Sequence, residues 1–369
     1  MKKFPCMIIR SGTSKGVFFK EEDMPKDKEK WTDFLLDVMG SPDKRQIDGL
    51  GGGNSLTSKV AVVGRAEDER YDVNYTFAQV SLDAHKVDFK GNCGNISSRV
   101  GVFAVESGLV EAVEPMTKVR VFNTNTKKVI DSEIEVKEGS YNPEGGTFIP
   151  GVPNAGSTGY LSFFDSEGAV TGKVLPTGNA VDEIETSVGK IKVSIVDAAN
   201  PLIFIHAEDV GLSGTELHYE FSHEKLDLLE EIRSIGAELC GFASKEEATK
   251  VSPAVPKTTV ICSPKEYKDV VGNNYPKENM DLVIRMMSMQ KPHQALAITG
   301  AVCTTVAKSI PGTLVAELSK EGEEGKFNLG HPGGIMLTYS GKEEESFYVK
   351  VERTARIIME GTVHTRNSY

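Results

Sequence analysis

Two glycine-rich runs carry the residues that could do chemistry in this chain: Asp48-Gly-Leu-Gly-Gly-Gly-Asn-Ser-Leu-Thr-Ser-Lys59 and Gly91-Asn92-Cys93-Gly94-Asn95. Between them they supply backbone amides, small hydroxyls, one ammonium (Lys59) and one thiol (Cys93). That is equipment for holding a compact anion and moving a proton on it. The first run is not a nucleotide loop, because a P-loop places Gly-Lys-Ser/Thr directly after a strand and the order here is Thr57-Ser58-Lys59. A carboxylate suits short turns with free N–H groups better. A lone Gly-Gly-Gly would read as a plain turn, but Ser11-Gly12-Thr13-Ser14-Lys15-Gly16 repeats the Thr-Ser-Lys on a tight turn between Met7-Ile8-Ile9 and Val17-Phe18-Phe19.

Cys93 precedes a segment, 96–106, with Ile96, Val100 and Phe103 on one helical face. A helix N-terminus favours the thiolate, which makes Cys93 a candidate acid or base. Cys6, Cys240 and Cys262 read as small buried hydrophobes, and Cys303, three residues beyond Gly300 in an apolar helix, as core packing. The seven histidines share no ligand spacing, so no metal site is expected; His331, in a His-Pro-Gly-Gly turn, is placed either to line a pocket or to fill a turn. Lys173, in a Gly- and Pro-rich stretch, is either linker or ligand-facing loop.

The elements that must position these residues read as mixed. Trp31, Phe34, Leu35 and Val38, then Met280, Val283, Ile284 and Met287, follow the helical spacing i, i+3, i+4, i+7; Leu226, Leu229, Ile232, Ile235 and Leu239 mark a longer amphipathic helix. Alternation at Val73, Tyr75, Phe77, at Ile191, Val193, Ile195 and at Phe347, Val349, Val351 predicts strands. Three echoes keep one order: 7–24 with 194–210, 94–110 with 300–315, and 123–126 with 330–333. They predict two halves of similar design, each a sheet with one or two helices, joined through 138–190.

The 369 residues, 39% hydrophobic and 26% charged, suffice for two cores, and a formal charge of −11 argues against nucleic acid or an anionic membrane as partner. Five scattered cysteines without C-x-x-C spacing predict neither disulfides nor zinc and point to a reducing cytoplasm. The apolar stretch after Lys2-Lys3 stops at Arg10, too short for a signal, and no 18 apolar residues run together, so neither export nor membrane spanning is expected.

The motifs Arg10-Ser-Gly-Thr-Ser-Lys-Gly16, Gln46-Ile-Asp-Gly-Leu-Gly52, Thr57-Ser-Lys59, Gly91-Asn-Cys-Gly-Asn95, Thr171-Gly-Lys-Val-Leu-Pro-Thr-Gly-Asn179 and Arg353-Thr-Ala-Arg-Ile-Ile-Met-Glu-Gly361 resemble the 2-methylaconitate isomerase and 3-methylitaconate delta-isomerase family over about residues 4–364. The resemblance implies an α/β (α+β) diaminopimelate-epimerase-like fold: two pseudo-symmetric domains, each a sheet wrapped around a central helix, and a cofactor-independent site in the cleft. It sets domains of 1–182 with a return strand at 352–369, and 183–351. It implies Lys59 and Cys93 as the reactive pair. Our candidates for the substrate are Ser14, Lys15, Asn54, Ser55, Asn92, Gly94 and Asn95, with Lys173, Thr299, Gly300 and His331 from the second half.

The parent fold's epimerases use one cysteine from each half. If Gly94 matches Gly300, Cys93 matches Thr299, and inversion by two thiols is not expected. What remains suits a double-bond shift in a small unsaturated di- or tricarboxylate of the 3-methylitaconate/2,3-dimethylmaleate type, by allylic proton transfer without cofactor or metal. The alternatives are a 2-methylaconitate cis-trans isomerase, an aconitate isomerase, an oxalomesaconate tautomerase and, outside enzymes, a carboxylate-binding protein; a homo-oligomer is compatible with each.

Overall fold

The computed structural model of the protein describes residues 2–89 and 92–369. Gly91, which opens the second glycine-rich run, lies outside the described residues. The chain forms two compact units, Met1–Ser162 together with Glu352–Tyr369, and Phe163–Val351.

In the first unit, β1 (Lys3–Ser11) and β2 (Ser14–Lys20) form a hairpin; β3 (Lys59–Arg65) runs parallel to β2, and β4 (Val73–Val80) antiparallel to β3. A short β5 (Val87–Asp88) flanks β4, β6 (Met116–Asn123) lies parallel to β4, and β7 (Lys128–Lys137) is antiparallel to β6. The last strand, Ala355–His364, pairs with the whole of β1.

Period-2 alternation divides this sheet into two apolar faces. Phe4, Cys6, Val17, Phe19, Val60, Val62, Ala78 and Val80 pack with Trp31, Phe34, Leu35 and Val38 of α1 (Trp31–Met39). The opposite face carries Ile9, Gly16, Phe18, Ala61, Tyr75 and Phe77 and meets a central helix in two pieces, α2 (Gly94–Ser97) and α3 (Val100–Glu106). Phe18 packs against Phe103 with the rings tilted and their centres 5.7 Å apart, and Ile96, Val100, Val102 and Ala104 are fully buried. Each of the Ile, Val and Phe side chains is worth roughly 1.5–3 kcal/mol on burial, so these residues contribute to holding the helix against the sheet. The helix predicted over 96–106 starts earlier and breaks at Ser98–Arg99. The Ser98 hydroxyl donates to the Asn95 carbonyl, and the single Ser97 hydroxyl proton is shared between the Cys93 carbonyl and Asn92 Oδ1, competing with the regular ladder.

The second unit repeats the path. Gly189–Ala198 forms a hairpin with Asn200–His206; Lys257–Cys262 is parallel to the latter, Leu282–Ser288 antiparallel, Lys326–His331 parallel and Gly334–Glu343 antiparallel. These are the senses of β1, β2, β3, β4, β6 and β7 in turn. Helix His223–Leu239 occupies the chain slot of α1, and Ile298–Ser309 that of α2 and α3.

Three expectations change in detail. Met280–Met287 does not form a helix: Leu282–Ser288 is a strand, buried on both faces, so its unbroken apolar run mimics helical spacing. The unit boundary falls at Ser162/Phe163 rather than 182/183, because residues 168–174 are fastened to Asp197. Gly168 N–H donates to the Asp197 carbonyl and Asp197 N–H to that of Val174, while Val170 N–H, Thr171 N–H and the Thr171 hydroxyl donate to Asp197 Oδ2. Finally, Cys93 caps its helix while the cap of Ile298–Ser309 is Ala297, so Thr299 is a first-turn residue; neither Ala297 nor Thr299 is a thiol.

Candidate active site

Lys59 opens β3 on the face that meets the central helix. Its side chain is buried, 8% exposed, with Nζ donating to Gln79 Oε1 at 2.7 Å and lying 5.3 Å from the centre of the Phe77 ring. Gln79 is the cross-strand partner of Lys59, and its amide is oriented by donating to the carbonyls of Ser58 and Ser55. One ammonium proton is thereby committed to a neutral acceptor, and no carboxylate pairs with Lys59 among the described residues. The preceding glycine loop is built around buried Gln46, whose amide donates to the Ser41 and Ser58 hydroxyls and whose Oε1 accepts from Gly53 N–H.

Tyr75, Phe77 and Gln79 alternate along one face of β4. That face leads from Lys59 to Cys93, because the fully buried Tyr75 phenol lies near the Cys93 thiol. Burial pushes its pKa well up and Cys93 adds to this, while the adjacent Ser97 hydroxyl pulls the other way. Ser97 also ties the turn together, its hydroxyl donating to Asn92 Oδ1 at 2.8 Å. Cys93 itself is half-buried, with extended backbone (φ −121°, ψ 104°).

The β1–β2 turn joins the same face. Asn95 Nδ2 donates to Thr13 Oγ1 at 2.9 Å. Gly16 sits between Lys59 and the helix: a Cβ there would come 2.9 Å from Ile96 Cδ1 and 3.1 Å from the Lys59 carbonyl oxygen. Ser11 and Ser14, opposite each other across the hairpin, point inward on the side of Gly16. Their hydroxyls are buried without a hydrogen-bond partner among the described residues. Buried polar atoms rarely go unpaired, and those that do mark places where a ligand or water belongs.

Of the sequence candidates, Ser14, Lys59, Asn92, Cys93, Gly94 and Asn95 therefore cluster at the start of the central helix. Lys15 pairs with Arg10 on the opposite face of the hairpin. Asn54 and Ser55 are exposed, and the Asn54 side-chain Oδ1 accepts from Leu56 N–H within the loop. In the second unit, Lys173 is exposed, Thr299 and Gly300 are buried in the first turn of their helix, and buried His331 accepts from Gly333 N–H through Nδ1 at 3.1 Å, fixing its turn. Sequence reasoning places Gln46 in a family motif and Tyr75 at a strand position but assigns none of Gln46, Tyr75, Gln79 and Ser97 to the site. Gln79 could have been found, since it continues the Val73, Tyr75, Phe77 alternation into the strand end facing Lys59. Among the described residues, no group of three His, Cys, Asp or Glu could hold a metal ion, and no helix is long and apolar enough to cross a membrane.

Comparison with known proteins agrees with this architecture. The family model described as PrpF protein matches residues 1–366. The isomerase-named YraM protein of Bacillus subtilis (strain 168) is 56% identical over 369 residues, covering 100% of this chain and 99% of its own. The 3-methylitaconate isomerase of Eubacterium barkeri is 45% identical, covering 99% and 98%. The 2-methyl-aconitate isomerase of Shewanella oneidensis is 34% identical, covering 98% and 96%. Among solved structures, methylitaconate-delta-isomerase superposes with TM-score 0.89 at 45% identity, over 99% of this chain and 96% of that one. A hydroxyproline epimerase from Agrobacterium vitis, at 12% identity and TM-score 0.54 over 98% and 92%, shares the fold, which is the epimerase-like one the sequence motifs imply.

Proposed function

Because the chain belongs to the PrpF family, we propose that it is an isomerase that shifts a double bond in a small unsaturated dicarboxylate of the 3-methylitaconate/2,3-dimethylmaleate type. The observation that carries this reading is the shared inner face of β4: at one end an ammonium that has no carboxylate partner among the described residues, at the other a half-buried thiol beside the buried Tyr75 phenol, and around them the hydroxyls of Ser11 and Ser14, unpaired among the described residues. The relative that is 45% identical over nearly the whole chain is named for that substrate.

The chemistry follows from the groups. A base removes the proton from the methine carbon beside one carboxylate, the electron pair spreads over the allylic system and onto the carboxylates, and an acid returns a proton to the terminal methylene, making it a methyl group. Atoms and charge balance without an oxidant or reductant. Lys59 and Cys93 are the exchanging pair. The hydroxyls of Ser11 and Ser14 and the amides at the Gly12–Gly16 turn and Asn92–Asn95 are donors for the carboxylate on which charge develops.

The test is proton NMR of the full-length enzyme in deuterated water with 3-methylitaconate, dimethylmaleate, 2-methylaconitate, aconitate and oxalomesaconate. Conversion of 3-methylitaconate with deuterium appearing in the new methyl group is expected. Turnover confined to a tricarboxylate would transfer the reading to the reaction named for the 2-methyl-aconitate relative, and no exchange with any of them would end it.

A further inference from the structure

A second anion-seeking group lies deeper in the first unit, where α2 gives way to α3. Arg99 is 1% exposed, and its Nε and Nη2 have no hydrogen-bond partner among the described residues. Those two atoms are the neighbouring donors on one edge of a guanidinium, spaced to engage both oxygens of one carboxylate. The chain uses that same edge elsewhere: Arg120 Nε and Nη2 donate to the two oxygens of Asp131, and Arg233 Nε and Nη2 to those of Glu230. At Arg99 no side chain among the described residues takes the carboxylate's place.

The surroundings are positive. Burial works against the charge of Arg99, with Tyr141 favouring it and Arg10 opposing it. Burial likewise lowers the pKa of Arg353, and Arg99 is the next largest cause. Arg10 Nη1 donates to the carbonyl and hydroxyl of Thr354 at 2.7 and 2.8 Å, and Gly12 N–H donates to the same carbonyl, so the cluster stands directly behind the β1–β2 turn. The seat is shaped for the guanidinium, since a Cβ on residue 159 would fall 2.1 Å from Arg99 Nη1. An uncompensated buried charge is strongly unfavourable, and pairing with an opposite charge is how proteins relieve it.

We propose that Arg99 forms a buried site for a compact anion, the Nε/Nη2 edge holding a small carboxylate or an inorganic halide. Enclosure restricts the ligand to a few atoms. The site stands apart from the isomerase reading, and its test needs no turnover.

The full-length protein is melted at constant ionic strength while gluconate, too bulky to enter, is replaced by formate in one series and bromide in another. The melting temperature should rise saturably with at least one of them. Formate acting alone identifies a small carboxylate, and bromide acting alone or equally an inorganic anion. Arg99→Lys, which keeps the charge and loses the paired edge, should move the formate midpoint at least about tenfold higher, and Arg99→Gln should abolish the response. Should both variants fail to fold, crystals of the unaltered protein soaked in bromide decide: anomalous density beside Arg99 Nε and Nη2 supports the site. Flat melting curves with only water at that edge overturn it.

Discussion

At the scale of single residues, the arrangement around Lys59 makes the most direct demands. Lys59→Ala should cost about 100- to 10,000-fold in kcat/KM, the usual worth of a general acid–base group, with the circular dichroism spectrum unchanged; a loss below about tenfold would remove Lys59 from the chemistry. Gln79 touches Lys59 rather than substrate, so Gln79→Leu should lower kcat by roughly 10- to 100-fold, as misplacement of a catalytic group does, with little change in KM. Gln79→Glu should do more than lose orientation, because a carboxylate there would neutralise the ammonium. The thiols sort by burial. Cys6, Cys262 and Cys303 are buried, and burial pushes half-buried Cys240 up to about 12, so substoichiometric iodoacetamide at neutral pH should label Cys93 first and substrate should protect it. Labelling of Cys240 ahead of Cys93, checked by peptide mass spectrometry, would contradict this. The sequence displayed Lys59 and Cys93 because glycines surround them. It hid Gln79, Tyr75 and Ser97 because an isolated Gln, Tyr or Ser acquires meaning only once strand pairing sets it opposite a reactive group.

At the scale of elements, the site depends on how closely β2 approaches α2. Gly16 leaves no room for a methyl group between Ile96 and the Lys59 carbonyl. Gly16→Ala must therefore push the hairpin, β3 or the helix aside by some tenths of an ångström. Overpacking of this kind costs about 1–3 kcal/mol, and a shift of that size at a catalytic group also costs rate. The variant should melt lower and lose kcat by about tenfold or more. Unaltered kinetics in a destabilised protein would show that the Lys59 strand absorbs the insertion without moving its side chain. The elements themselves were largely legible where burial is one-sided, as in α1, His223–Leu239 and the alternating strands. Legibility failed at Leu282–Ser288, where both faces are buried and the period-2 signal disappears. It also failed in the central helix, where serine hydroxyls interrupt an apolar periodicity that continues on both sides.

At the scale of the whole molecule, the chain leaves its first unit at Ser162 and returns to it at Glu352, so that unit is closed by the last strand and the residues after it. Three echoes in sequence were enough to expect two similar halves, because a tight turn, a glycine-opened helix and a polar turn recur in the same order. The boundary escaped because Gly- and Pro-rich composition marks irregular backbone, and only the bonds to Asp197 show which unit holds it. The closure is fastened by Asp37 on α1, whose carboxylate accepts from Arg366 Nε and N–H, Asn367 N–H and the Tyr369 hydroxyl. Burial raises the pKa of Asp37, but the Arg366 side chain, the Asn367 amide and Tyr369 together outweigh it, and the net shift is downward. A carboxyl whose folded pKa lies below its unfolded value, about 3.9, contributes fully above that value and loses its contribution as pH falls through the folded one. Asp37→Asn should therefore lower the melting temperature by roughly 2–6 °C at pH 6, the response to about 1–2 kcal/mol, and the gap from the unaltered protein should narrow progressively below about pH 4. Melting curves of both proteins from pH 6 to pH 3 check this. A gap that stays constant to the acid end would mean that the carboxylate's charge does not hold the chain's return, leaving the pairing of Ala355–His364 with β1 to close the unit unaided.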